Sequence, residues 1–192
     1  GLCGAKALDL KRFDVDFAWT IDCCELGEIV YENFNAAAAE IRFTGVTAHP
    51  MSAKGVLVNP LLMATDFISH FDRQQTPECT EGREGYIWFN GIQAGQNEAV
   101  LKANIRDFDK DGFAARKQHI ADVAAQIAAQ HPTANVEYRI EDTYSNISNA
   151  IGEDRRAIDL MFEAMESLGI TPKPIPMRGG TDGAALSAKG LL

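Results

Sequence analysis

Between residues 36 and 143 the spacing of apolar side chains switches repeatedly between two periods, and the order of those switches constrains the fold more than any other feature. Alternation of apolar and polar residues marks a half-buried strand, whereas recurrence every three or four residues marks a helix. Residues 36–46 continue from four alanines into Glu40-Ile41-Arg42-Phe43-Thr44-Gly45-Val46, where apolar Ile41 and Phe43 alternate with polar residues, so a strand is expected there although the run of four alanines favours a helix. Asn59 as cap and Pro60 at the first helical position start a helix. Its expected apolar face is Leu61, Leu62, Thr65, Phe67, Ile68 and Phe71. Strands are expected at 86–92 and 98–107; in the second, Ala99, Leu101, Ala103 and Ile105 alternate with polar positions. A long helix over 113–130 should bury Ile120, Val123, Ala124 and Ile127, and 136–140 reads as the closing strand. Strand, helix, strand, strand, helix, strand is the split βαβ, or ferredoxin-like, arrangement: one four-stranded antiparallel sheet with two helices on one face.

The flanks have a different character. Phe17-Ala18-Trp19-Thr20-Ile21-Asp22 is a short apolar run that stops on a carboxylate. It reads as a buried strand, with Asp22 either capping a turn or standing at a sheet rim, where open α/β proteins keep ligands and metals. An amphipathic helix is expected over 154–168, stopped by Gly169, followed by a segment stiffened by Pro172, Pro174 and Pro176. This leads into Met177-Arg178-Gly179-Gly180-Thr181-Asp182-Gly183 and a helix of small residues over 184–188. The expected fold class is therefore α/β: segments 1–33 and 147–192 form one domain, and the ferredoxin-like α+β unit, 34–146, is inserted between them.

Composition excludes several functions. A formal net charge of -9 argues against a nucleic-acid surface, which needs a basic patch. No apolar run approaches the roughly 18 residues of a membrane span, and the first residues lack the basic and apolar regions of a signal peptide. Cys3 and Cys79 are isolated, Cys23 and Cys24 are adjacent, and no Cys-x-x-Cys spacing exists, so a reduced, cytoplasmic protein is expected. Both ends read as cut, which suggests a piece of a longer protein.

Three side chains besides Asp22 are candidates for chemistry. His49 sits in a loop directly after a strand, its backbone held extended by Pro50. It is either a solvated loop histidine or an imidazole positioned to donate to a developing oxyanion. Arg106 ends a half-buried strand beside Asp107 and Asp109, and is either a surface ion-pair partner or a fork for a substrate carboxylate. Arg178 precedes two glycines and a helix start, which makes either an anion site or a tight turn with an exposed arginine. Cys23-Cys24 reads as two small side chains buried in a turn rather than a soft-metal site.

The runs DFAWTID, EIVYENFNAA, GVTAHPMSAKG, NIRDFD, IEDTYSN and RGGTDG occur in order over almost the whole chain. They resemble the peptidase T (tripeptide aminopeptidase) group of di-zinc metallopeptidases, whose wider family includes carboxypeptidase G and acetylornithine deacetylase. The resemblance implies an α/β catalytic domain with an inserted ferredoxin-like lid that closes over tripeptide substrate and can pair two copies as a homodimer. It implies that Asp22 is a ligand of one of two zinc ions, that His49 steadies the tetrahedral intermediate, and that Arg106 and Arg178 hold the substrate's terminal carboxylate. The implied chemistry is metal-assisted hydrolysis with a glutamate as general base. The family's two metal histidines, bridging aspartate and glutamate pair have no counterpart in these residues, and Cys23-Cys24 stands where the family has Gly-Gly. The chain by itself is therefore expected to be inactive and to bind zinc weakly or not at all; a dimerisation module, or a deacetylase or dipeptidase on the same scaffold, are the alternative functions.

Overall fold

A computed structural model describes residues 3–21 and 25–191. The helices and strands, in chain order, are α1 (Cys3–Ala7), β1 (Glu28–Ile29), β2 (Asn35–Thr44), α2 (Pro60–Ser69), β3 (Tyr86–Ala94), β4 (Glu98–Asp107), α3 (Lys110–Gln130), β5 (Asn135–Tyr144), α4 (Ser148–Ile151), α5 (Arg156–Ser167), β6 (Lys173–Pro174) and α6 (Asp182–Ser187). The chain divides into two compact units, one made of Gly1–Asn35 with Tyr144–Leu192, the other of Ala36–Thr143.

The second unit is built on a four-stranded sheet of order β3-β4-β2-β5. The first strand of the motif is internal, between the third and the last, as the ferredoxin-like arrangement requires. Alternation decides which side chains enter the core. Ala99, Leu101, Ala103 and Ile105 of β4 are 0–2% exposed, and Ala37, Ala39, Ile41 and Phe43 of β2 are 0–4% exposed. The alanine run is thus a strand, because burial of one face of β2 in a sheet outweighs a weak local preference for helix. Antiparallel pairing places Tyr86 opposite Arg106 and Trp88 opposite Asn104, with a bulge between Phe89 and Gly91.

Helix α2 begins as its sequence dictates: Pro60 is in the first turn and the Asn59 side chain accepts from Leu61 N–H. Its buried face differs from the one expected. Pro60, Met63, Ala64 and Phe67 are covered, whereas Leu61 and Leu62 are 44% and 60% exposed and Thr65 is also outside. The 60/63/64/67 stripe wins because it continues into Phe71, whose ring meets those of Phe67 and Phe89 at 5.1 and 4.9 Å. Helix α3 starts earlier than expected, since Asp109 caps it by accepting from Gly112 N–H at 2.7 Å. Ile120, Val123, Ala124 and Ile127 form its buried stripe as the spacing predicts.

In the first unit, β1 and β6 pair in parallel, with Glu28 opposite Lys173 and Ile29 opposite Pro174. The pairing extends to a bridge between Asn33 and Met177. The run Phe17–Ile21 is not a strand: Trp19 is 48% and Ile21 97% exposed. A strand needs a hydrogen-bonded neighbour, and apolar composition alone does not supply one. Here Phe17 and Trp19 pack edge to face at 5.3 Å, and the Trp19 indole N–H donates to Ala157 O of α5 at 3.0 Å. Asp22, Cys23 and Cys24 lie outside the described residues.

Two leucine truncations separate core from surface. Leu101→Ala is expected to cost about 2–5 kcal/mol of unfolding free energy. Leu62→Ala should stay within about 0.5 kcal/mol. Urea unfolding of the two variants checks both values.

Candidate functional site

His49 lies in the loop that joins β2 to α2. That loop is closed at its base, where Val46 and Val58 exchange both backbone hydrogen bonds at 3.0 and 2.9 Å. Gly45 stands at the foot, and a Cβ there would come within 2.3 Å of Val58 O, so no larger residue fits. Loops pinned at both ends hold their side chains in place despite lying at the surface. Within it, His49 is extended at φ -63° and ψ 136°, and a single 3₁₀ turn, Pro50–Ser52, follows. Met51 N–H donates to His49 Nδ1 at 3.2 Å, and Ser52 N–H donates to His49 O at 2.8 Å. Because Nδ1 accepts, the neutral ring carries its proton on Nε2. The imidazole is exposed and presents a hydrogen-bond donor.

Arg106 belongs to the same unit. Ile105 points into the core, so Arg106 falls on the opposite face of β4. Its Nη1 donates to Ala37 O at 3.1 Å and Ile105 O at 2.8 Å. Its head is therefore tethered to the sheet's own carbonyls rather than swinging freely as a surface arginine would. The acid beside it is engaged elsewhere: Asp107 accepts from Arg116 Nε at 2.9 Å.

Arg178 belongs to the other unit. Met177 N–H donates to Glu32 O at 2.9 Å, which registers the 177–180 loop against the strand segment before it. The Arg178 guanidinium lies over the Phe34 ring at 5.1 Å, a cation–π contact to a ring that is 0% exposed. Gly180 packs against Tyr144, where a Cβ would come within 2.9 Å of the ring.

The residues that hold this loop carry no functional signature in one dimension. Asn33, Asn35 and Asn146 are 0%, 4% and 2% exposed. Asn33 Oδ1 accepts from Ile147 N–H at 2.7 Å, and Asn33 Nδ2 reaches Phe34 O at 3.0 Å, Gly179 O at 3.4 Å and Ser145 O at 3.5 Å. Asn33 N–H donates to Asn146 Oδ1, and Asn35 Oδ1 accepts from both Asn146 N–H and Asn149 Nδ2. The only local signal was the pairing of Asn-x-Asn with Asn-x-x-Asn beside apolar residues, which is indistinguishable from loop chemistry in one dimension.

Asp22 lies outside the described residues. Among those described, no group of three or more His, Cys, Asp and Glu could hold a metal ion. The described residues by themselves do not fit a two-metal centre.

A ferredoxin-like sheet unit interrupting a second unit that mixes helices with a short parallel strand pair defines the class of this chain. Residues 31–135, more than half of the chain, match the peptidase dimerisation domain family, M20_dimer, and the chain belongs to that family. A Peptidase T-like protein of Yersinia pestis is 67% identical over 192 residues, which are 100% of this chain and 47% of that protein. Peptidase T of Aeromonas salmonicida is 42% identical over 188 residues, 98% of this chain and 46% of that protein. The aminopeptidase PepT of Bacillus cereus superimposes with a TM-score of 0.83 at 19% identity, covering 100% of this chain and 51% of that one, which supports the fold. The chain spans about half the length of the curated relatives it matches.

The hydrogen bond from Met51 fixes an observable. Neutral His49 should be the Nε2–H tautomer, with Nδ1 showing the ¹⁵N shift of an unprotonated ring nitrogen in long-range ¹H–¹⁵N spectra. A protonated Nδ1 in the neutral ring would contradict the loop geometry.

Proposed function

We propose that this chain is part of a zinc-dependent aminotripeptidase, a cytoplasmic hydrolase that removes the N-terminal residue from tripeptides. The 42% identity to a Peptidase T over 98% of the chain carries the reading. In it, 1–33 and 147–192 are catalytic-domain segments and 34–146 is the lid and dimerisation domain. Asp22 is a ligand of one of two zinc ions in the complete protein. His49 donates from Nε2 to the developing oxyanion. Arg106 and Arg178 each bind the terminal carboxylate of the substrate, to which a guanidinium offers two parallel donors.

What supports these roles differs between residues. For His49 it is the accepting Nδ1, which leaves a donor outward on a pinned loop. For Arg178 it is the half-buried placement on Phe34 beside Gly179 and Gly180, since an arginine restrained by packing loses less freedom on binding. For Arg106 it is the tether to Ala37 O and Ile105 O. The 34–146 segment is proposed to form a homodimer, a reading supported by the dimerisation-domain match over 31–135.

A second reading has its own support. Identity to the Peptidase T-like protein, 67%, far exceeds the 42% to Peptidase T itself. In that reading the substrate is a related one that also ends in a carboxylate, such as an N-acyl amino acid or a dipeptide.

Kinetics of the full-length protein on tripeptides, dipeptides and N-acyl amino acids separate the two readings. A kcat/KM highest for tripeptides supports the first, and one highest for either of the others replaces it with the second. His49→Ala should lower kcat by roughly 10²–10³-fold on the preferred substrate, as loss of one oxyanion donor does. The isolated 192-residue chain supplied with zinc should turn over none of them, because one carboxylate cannot furnish the three or more ligands that each catalytic ion needs. Light scattering of the full-length protein tests the pairing, and a strict monomer at high concentration counts against it.

A further inference from the structure

We infer that Asn33 is a positioning residue for Arg178: its buried carboxamide sets the loop from which Arg178 addresses the substrate's carboxylate. The inference rests on the proposed carboxylate role of Arg178 and goes beyond it by naming what holds that arginine in register.

Asn33 is 0% exposed and its amide is used on both sides. Oδ1 faces the Ile147 N–H at 2.7 Å, and Nδ2 faces carbonyl oxygens of Phe34, Gly179 and Ser145. The orientation is forced, because turning the amide over would set an NH₂ against an N–H and an oxygen against three carbonyls. One side chain therefore touches two of the groups that flank Arg178. It holds the backbone carbonyl of Phe34, whose ring carries the guanidinium at 5.1 Å. It also holds the carbonyl of Gly179, the residue that follows Arg178.

The Asn33 amide reaches the 177–180 loop from a buried position, at Gly179 O. Backbone and packing add further ties: Met177 N–H on Glu32 O, and Gly180 against Tyr144. Glycines at 179 and 180 leave the loop backbone with more freedom than any other residue pair would. A buried donor at its centre removes that freedom at the point where the arginine leaves the chain. Asn33 is also anchored from behind, since its own N–H donates to Asn146 Oδ1, and Asn146 N–H in turn donates to Asn35 Oδ1. The position of the amide is thereby fixed by residues that need not touch substrate.

The test uses the full-length protein and one ratio, kcat/KM for a tripeptide over kcat/KM for the same tripeptide amidated at its C-terminus. Arg178→Gln should collapse that ratio by roughly tenfold or more, the value of one charge-assisted hydrogen bond. Asn33→Asp, which keeps the shape and removes the donors, and Asn33→Ser, which shortens the reach, should each lower the same ratio, mainly through KM for the unmodified tripeptide. Combining either with Arg178→Gln should lower it no further. Folded Asn33 variants that lose activity equally on both peptides, or on neither, overturn the inference and leave the role of Arg178 standing. Failure of both variants to accumulate as folded protein assigns Asn33 to folding and also overturns it. A ratio unaffected by Arg178→Gln removes the carboxylate role and the inference together.

Discussion

The sheet of the Ala36–Thr143 unit has helices to cover only one of its faces, and much of the chemistry available to this protein follows from that one-sidedness. With side chains alternating along β4, burial of Leu101, Ala103 and Ile105 forces Lys102, Asn104 and Arg106 to the other face. A register slip of one residue would move Arg106 into the apolar core and expose Leu101 and Ile105 to water. The cost of such a slip, several buried aliphatic side chains at about 1.5–3 kcal/mol each, is what locks the arginine in place. Its tether to Ala37 O then follows from pairing of β4 with β2, since strand neighbours in the order β3-β4-β2-β5 bring that carbonyl alongside.

The same sheet also sets the histidine. β2 ends at Thr44, and the next residues must cross to the start of α2 at Pro60. The crossing is not slack: a two-residue bridge at Val46 and Val58 ties its ends, and Gly45 admits the close backbone approach the bridge needs. Pinned ends leave the tip, including His49, with a short path and few conformations. The ring is then fixed by one backbone donor, that of Met51. Structure and tautomer thus descend from strand pairing, through loop closure, to a single hydrogen bond.

In the other unit the organising agents are polar. Parallel pairing of 28–29 with 173–174 is brief; it continues as backbone contacts to the Asn33–Met177 bridge, and buried asparagines hold the Arg178 loop beyond it. Buried amides are costly unless every donor and acceptor is matched, and these are matched. A core of this kind tolerates little change at a given position, because substituting one member leaves others unsatisfied at about 1–3 kcal/mol apiece.

Where the sequence was legible, it was legible for a physical reason. Alternation in β4 and the 120/123/124/127 stripe of α3 report burial directly, because each repeats the geometry of its own element. The cap of α2 was equally plain, since Asn before Pro acts locally. The apolar face of the same helix was misplaced onto Leu61 and Leu62, because which stripe is buried depends on Phe71 and Phe89, and β3 is remote in sequence. Phe17–Ile21 reads as a strand from apolar composition, which cannot supply a paired neighbour; in the structure the run stays largely exposed and Trp19 donates instead to Ala157 O of α5. His49, Arg106 and Arg178 could be nominated from residue type and neighbours alone. Element order, the buried side of β2 and β4, and the candidate side chains could be read from residue order alone. The tertiary structure alone decided which nitrogen of His49 is a donor, which carbonyls hold Arg106, and that Asn33 sustains the Arg178 loop, because these depend on contacts between residues up to 146 positions apart.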